Sequence, residues 1–289
     1  MRLHKGQIIS AITLAAALAL SGCTDSGAPG ASAPVAEAPT FAPGTTMEKL
    51  STAGTITIGT KFDQPLFGLK GPDGKPVGFD VEIGKLIAAK LGIQPENIEW
   101  TETVSANREP FLQNSQVDLV VATYTINDTR KEVVDFAGPY YEAGQDLLVL
   151  TGNPEKITGP NDLTGKRVCT VSGSTSERNI AAYTTNVIAT DTYSNCLGPL
   201  RSGEVSAVTT DNVILAGLAD QNEGEFQMVD KPFTKEPYGI GLRKADTEFR
   251  TFINDVLEEA YKDGSWVAAW KATAGKVLAT PTPPAVNRY

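Results

Sequence analysis

The chain carries one histidine, His4, in a segment that reads as a leader lost on export. The processed chain then has no imidazole. This removes Ser-His-Asp and Cys-His nucleophilic catalysis and the usual zinc ligand sets in one step. There is no GxSxG elbow and no phosphate-binding P-loop, and Gly239-Ile240-Gly241 lacks the third glycine of a dinucleotide fingerprint. Asp and Glu total 34, yet no spacing singles out an acid/base pair. The chain is therefore not expected to be an enzyme or to hold a metal or cofactor. The chemistry left to it is recognition by charge and hydrogen bonding.

The leader has its own pattern. Arg2, His4 and Lys5 precede an apolar run from Ile8 to Leu20, too short for a stable bilayer anchor. Leu20-Ser21-Gly22-Cys23 then looks like a bacterial lipobox, in which cleavage leaves Cys23 lipidated at the N-terminus. The expected address is the outer face of the cytoplasmic membrane, held by a lipid anchor. Residues 24–45 are rich in Ala, Pro, Gly, Ser and Thr and have little to bury, so they read as a tether. Losing Arg2 and Lys5 changes the formal charge from −9 to (25 − 2) − 34 = −11. That acidic balance argues against nucleic acid. Cys169 and Cys196 remain as an even pair in an exported chain, which is most simply a disulfide.

At 289 residues, with 41% hydrophobic and 20% charged side chains, the chain can bury one large core or two modest ones. Short β-rich runs alternate with helical stretches. Ile56-Thr57-Ile58, Ile98-Glu99-Trp100 and Asp118 to Ala122 read as strands. A second series begins with Gln145 to Leu150 and continues through Gly165 to Val171, Val205 to Val208 and Tyr238 to Leu242. This alternation implies layered α/β units. Between the first two strands lies Gly78-Phe79-Asp80-Val81-Glu82-Ile83. Asp80 is expected to cap a helix whose stripe is Ile83, Leu86, Ile87 and Leu91, with Gly92 as its stop. The tail beyond Gly275 is Pro-rich and expected to be loose.

The string from Gly78 to Leu91 resembles the signature of the extracellular solute-binding proteins of family 3, which bind polar amino acids for ABC transporters. The resemblance extends over nearly all of residues 47–275. It implies an α/β, two-lobed periplasmic-binding-protein type II fold with two hinge strands. On that basis residues 1–22 are a lipoprotein signal peptide and 23–46 the lipidated Cys23 and linker. Lobe 1 comprises 47–146 plus 237–275, lobe 2 comprises 147–236, and 276–289 form the tail. The implied protein is a monomer that docks on a membrane permease.

The resemblance also implies a ligand set. Ala122-Thr123-Tyr124-Thr125-Ile126-Asn127-Asp128-Thr129-Arg130 is similar to the family's strand-end loop and its ligand arginine. A free amino acid presents a carboxylate and an ammonium, so it needs a forked donor and a nearby acid. Arg130 supplies the fork, the Thr125 N–H a second donor, and Asp211 the ammonium partner, assisted by Thr123. Asp211 would equally serve as a plain helix N-cap. Ser172-Gly173-Ser174-Thr175 resembles the loop that closes over the carboxylate, through Ser174 and Thr175. Lys61 and Arg108 occupy positions that in this family face the ligand side chain. Two bases there favour an acidic amino acid, glutamate first and aspartate second. Three alternatives stay open: a glutamine or asparagine receptor, a ligand sensor for a membrane signalling protein, and a dehydratase-like enzyme on the same scaffold.

Overall fold

A computed structural model describes residues 40–289. The leader and Cys23 lie outside the described residues. Apolar strands are buried on both faces where helices cover them. Ile56–Thr60 runs parallel to Ile98–Glu102 on one side and Leu119–Val120 on the other. The returning chain, Glu236–Arg243, inserts antiparallel between Leu119–Val120 and Val134–Ala143 to complete this five-stranded sheet. The second five-stranded sheet has Val187–Thr190, Val168–Val171 and Ala207–Asp211 in parallel, then Gln145–Leu150 and Phe226–Met228 antiparallel.

The chain passes between the two sheets twice. Gly144 separates Val134–Ala143 from Gln145–Leu150, and residues 229–235 lead from Phe226–Met228 back to Glu236–Arg243. Both passages are hydrogen-bonded to each other: Gln145 N–H donates to the Thr234 hydroxyl at 3.0 Å and Phe233 N–H to the Gln145 carbonyl at 2.9 Å. In the second lobe Cys169 and Cys196 form the expected disulfide.

Helix Phe79–Lys90 departs from the capping expectation. Its N-cap is Gly78, at φ 137°, where an added Cβ would come within 2.2 Å of the Phe67 carbonyl oxygen. Only glycine fits that approach. Asp80 lies inside the first turn, fully buried, and its carboxylate is spent on distant partners described below. Ile83, Ile87 and Leu91 are buried, Leu86 packs against them, and Gly92 at φ 78° follows the helix. An aromatic group fixes this helix to the sheet: Phe79 lies 5.1 Å from Trp270 and Tyr141 stacks on Trp270 at 5.1 Å.

Both ends of the folded body extend further than expected. Phe41 packs edge-on against Phe252, and the Thr45 hydroxyl caps helix Thr46–Ala53, so packing begins before residue 47. The tail is not loose. Asn287 N–H donates to the Gly138 carbonyl, and the Tyr289 hydroxyl accepts from Phe136 N–H, both at 2.8 Å. Lys131 and Arg250 lie over the Tyr289 ring at 4.2 and 4.3 Å. Proline content suggested a solvated segment, but an aromatic terminus with two cations on its ring provides its own anchor. Deleting residues 287–289 leaves the buried Phe136 N–H without its partner and is expected to cost about 1–3 kcal/mol in urea denaturation. An unchanged midpoint would show that the tail contributes nothing.

Candidate functional site

In α/β sheets the loops beyond the carboxyl ends of parallel strands gather the groups that bind ligands. Here the two sheets turn those ends toward each other. From the first lobe, Lys61 follows Ile56–Thr60; Ser105 and Arg108 follow Ile98–Glu102; Thr123 and Thr125 follow Leu119–Val120. From the second lobe, Ser174 and Thr175 follow Val168–Val171, and Asp211 ends Ala207–Asp211.

Five of the eight expected residues, Arg108, Thr123, Ser174, Thr175 and Asp211, line one cavity between the lobes. Ser105, Ser176, Tyr193 and Ile214 complete its wall. The space is tight, a cavity of about 10 Å³. As it stands, the cavity is too small for a solute of amino-acid size.

Lys61 stands beside this wall and not in it. Its ammonium donates to the Ser105 hydroxyl at 2.9 Å. Burial, and next the Arg108 charge, push it down to about 7. Thr125 borders a neighbouring cleft with Thr175, Arg178, Asn179, Lys235 and Glu236. Arg130 lies between the lobes. It donates to Glu109 at 3.0 Å, to the Thr125 carbonyl at 2.7 Å and, across the lobes, to the Gly173 carbonyl at 3.3 Å. These bonds use one N–H on each terminal nitrogen and leave the other for a further acceptor.

Arg108 is the guanidinium in the cavity wall. Its Nη1 donates to the carbonyls of Ala122 and Thr123 at 3.2 and 3.3 Å, and its Nε to the Ser105 carbonyl at 3.3 Å. The Tyr124 ring packs under both guanidiniums, 4.3 Å from Arg108 and 4.9 Å from Arg130. That shared aromatic ring helps hold two like charges in place without neutralising either.

Asp211 supplies the opposite charge. One carboxylate oxygen accepts from the Tyr238 hydroxyl at 2.6 Å; the other is buried with no partner. Burial and the nearby Glu236 carboxylate push Asp211 up to about 7, against the Tyr238 hydrogen bond and the charges of Arg108 and Arg130. A buried acceptor without a donor is costly, and a ligand ammonium would repay that cost here.

Asp80 positions this site, a role its place at a helix start did not suggest. Its carboxylate accepts from the Thr123 N–H at 2.7 Å and the Tyr140 hydroxyl at 2.6 Å. Thr123 is held at φ 44°, where a β-branched residue is strained, so the loop needs such bracing. The Thr123 hydroxyl adds a bond to Gln64 Oε1 at 2.9 Å. Sequence reading also passed over Ser105, Ser176, Tyr193 and Ile214. Nothing in their local spacing marks them, because the lobes meet only in the folded chain.

Three buried groups bear on how the stability of the protein varies with pH. Asp80 and Asp211 are each pushed up to about 7, chiefly by burial, and Lys61 down to about 7. From their ordinary carboxylate range to about 7 the folded state holds protons that the unfolded state has released, so stability falls with rising pH. From about 7 to the ordinary lysine range the unfolded state holds the extra proton, so stability rises again. The expected melting temperature without ligand passes through a minimum near pH 7 over pH 5–9. A maximum there would contradict the assignment.

The description "Bacterial extracellular solute-binding proteins, family 3" belongs to a family model that matches residues 56–272. A glutamate-binding protein, GluB, of Corynebacterium efficiens is 43% identical over 74% of this chain and 76% of its own. The glutamine-binding protein GlnH of an ABC transporter in Bacillus subtilis is 38% identical over 91% of this chain and 94% of its own. Among solved structures, an ancestral arginine-binding protein bound to glutamine superposes with a TM-score of 0.70. It is 39% identical and covers 76% of this chain and 97% of that one. Among the described residues no helix is long and apolar enough to cross a membrane.

Proposed function

Because the chain belongs to the bacterial extracellular solute-binding proteins of family 3, we propose that it is an extracytoplasmic receptor for an acidic amino acid, glutamate before aspartate. It closes its lobes on the ligand and delivers it to the permease of an ABC importer. Lipidation at Cys23 keeps it at the membrane, and it acts as a monomer. Binding energy shifts an open–closed equilibrium and drives no chemistry.

The observation that carries this reading is Arg108 and Asp211 in the wall of one cavity. Each is buried, and an oxygen of Asp211 lacks a partner. The pair suits a ligand that bears both signs of charge. Lys61 behind Ser105 adds positive potential on the Arg108 side. The glutamate-binding relatives accord with that choice.

One observation favours glutamine instead. The ammonium of Lys61 is bonded to Ser105 and pushed down to about 7, so its charge is not assured. The hydroxyls of Ser105, Thr123, Ser176 and Tyr193 can accept from an amide. A thermal-shift and calorimetry panel of glutamate, aspartate, glutamine and asparagine on the processed chain decides between them. A ligand at 100 times its Kd raises stability by about 2.7 kcal/mol. Glutamate is expected to give the largest shift; a response to glutamine alone overturns the acidic assignment.

A further inference from the structure

Asp63 has no part in the ligand set above and Tyr193 enters it only through its side chain, yet Asp63 and the Tyr193 backbone join the lobes. Asp63 lies on the short strand Asp63–Gln64, two residues past Lys61 in the first lobe. Tyr193 opens the 3-10 turn Tyr193–Cys196 in the second. Tyr193 N–H donates to Asp63 Oδ2 at 2.9 Å, across 130 residues of chain. The Tyr193 ring is buried and forms part of the cavity wall with Ser176 and Asp211.

The same turn ends at Cys196, bonded covalently to Cys169 in strand Val168–Val171. Tyr193 thus stands three residues from a covalent tie to the second sheet. The facing segment is held by pairing with the next strand, Asp63 opposite Leu69 and Gln64 opposite Gly68. Beside it, Pro65 meets Gly217 of the second lobe so closely that a Cβ on Gly217 would come within 2.6 Å of the Pro65 carbonyl oxygen. Two well-held surfaces therefore meet, and the Asp63–Tyr193 bond between them is charge-assisted.

We infer that Asp63 and Tyr193 form a latch that stabilises the closed lobes, and that the Cys169–Cys196 disulfide holds Tyr193 in register for it. The inference rests on the receptor reading, in which ligand is retained by closure. A bond made only in the closed state raises apparent affinity without touching the ligand. A tethered turn meets Asp63 already ordered; an untethered one would have to be ordered at each closing, which opposes closure. Both residues are positioning residues, and their effect belongs in the dissociation rate.

Calorimetry and stopped-flow binding with L-glutamate and L-glutamine as probes test this. Asp63→Ala is expected to raise Kd about tenfold, or ~1.4 kcal/mol, through faster dissociation. Asp63→Asn keeps a carbonyl acceptor and should restore most of the affinity. The Cys169→Ser/Cys196→Ser protein should weaken binding similarly, and adding Asp63→Ala to it should cost little more, since coupled groups do not add. Wild-type binding in Asp63→Ala overturns the latch, and full additivity overturns the role of the disulfide. If the cysteine variant does not fold, Cys196→Ala/Cys169→Val replaces it, with circular dichroism as the check. If the wild type binds neither probe, the receptor reading fails by itself. The latch is then judged by lobe-to-lobe distances from spin labels: a smaller closed fraction in Asp63→Ala supports it, an unchanged one overturns it.

Discussion

Asp211→Asn is expected to weaken amino-acid binding by roughly 100-fold or more, the cost of removing one partner of a buried charge pair. The unliganded protein should be as stable as the wild type at pH 7.5, or more so. These opposite signs follow from one geometry. Asp211 is buried, accepts a single hydrogen bond from Tyr238, and leaves its other oxygen without a donor. Burial and Glu236 push its carboxyl up to about 7, so ionising it there is unfavourable. Asparagine keeps an oxygen for Tyr238 and removes the charge. What it cannot do is pair with an ammonium. The stability gain should shrink toward pH 5, where the folded wild type already holds the proton and less of the penalty remains. Calorimetry for binding and thermal melting at both pH values check the two halves. A variant that binds normally would show that Asp211 does not contact the ligand.

The contrast between Asp211 and Asp80 shows what could be read from sequence and what could not. Both are aspartates at the start of a helix, each followed by apolar residues. Asp211 occupies the cap position without a side-chain cap hydrogen bond, and because its strand ends at the interlobe cavity it stands in the cavity wall. Asp80 has neither the cap nor a place in the cavity wall. Its carboxylate reaches Thr123, 43 residues on, and Tyr140, 60 residues on. Local periodicity cannot encode a partner that far away. The strand and helix series were legible because alternation and capping are local. The insertion of Glu236–Arg243 between Leu119–Val120 and Val134–Ala143 was not, since a returning strand carries no mark of its neighbours. The family resemblance alone anticipated it. The same limit explains why Tyr193 and Ser176 went unseen: Arg108 and Asp211 were named through the family resemblance, and a wall assembled from two lobes carries no local mark.

Arg108→Met should cost glutamate roughly 100-fold in affinity, as for other truncated buried charge pairs, and glutamine only about tenfold. Methionine retains a long apolar stem over Tyr124, so the packing of the loop is largely kept. The variant loses two kinds of bond. Those from Nη1 to the Ala122 and Thr123 carbonyls hold the loop, and their loss weakens every ligand equally. On the proposed reading, a bond from the cavity-facing side of the guanidinium to the ligand would be charge-assisted only where the ligand presents a carboxylate, worth about 1.5–3 kcal/mol against 0.5–1.5 for a neutral partner. The ratio of the two losses cancels the shared loop term and isolates the contact that discriminates. Equal losses for both ligands would place Arg108 against the main-chain carboxylate they share. Arg130, with two N–H groups still uncommitted, would then be the candidate for the side-chain end. The ratio therefore fixes the direction in which the ligand lies between the two guanidiniums flanking Tyr124, and with it which lobe-1 strand sets the choice of amino acid.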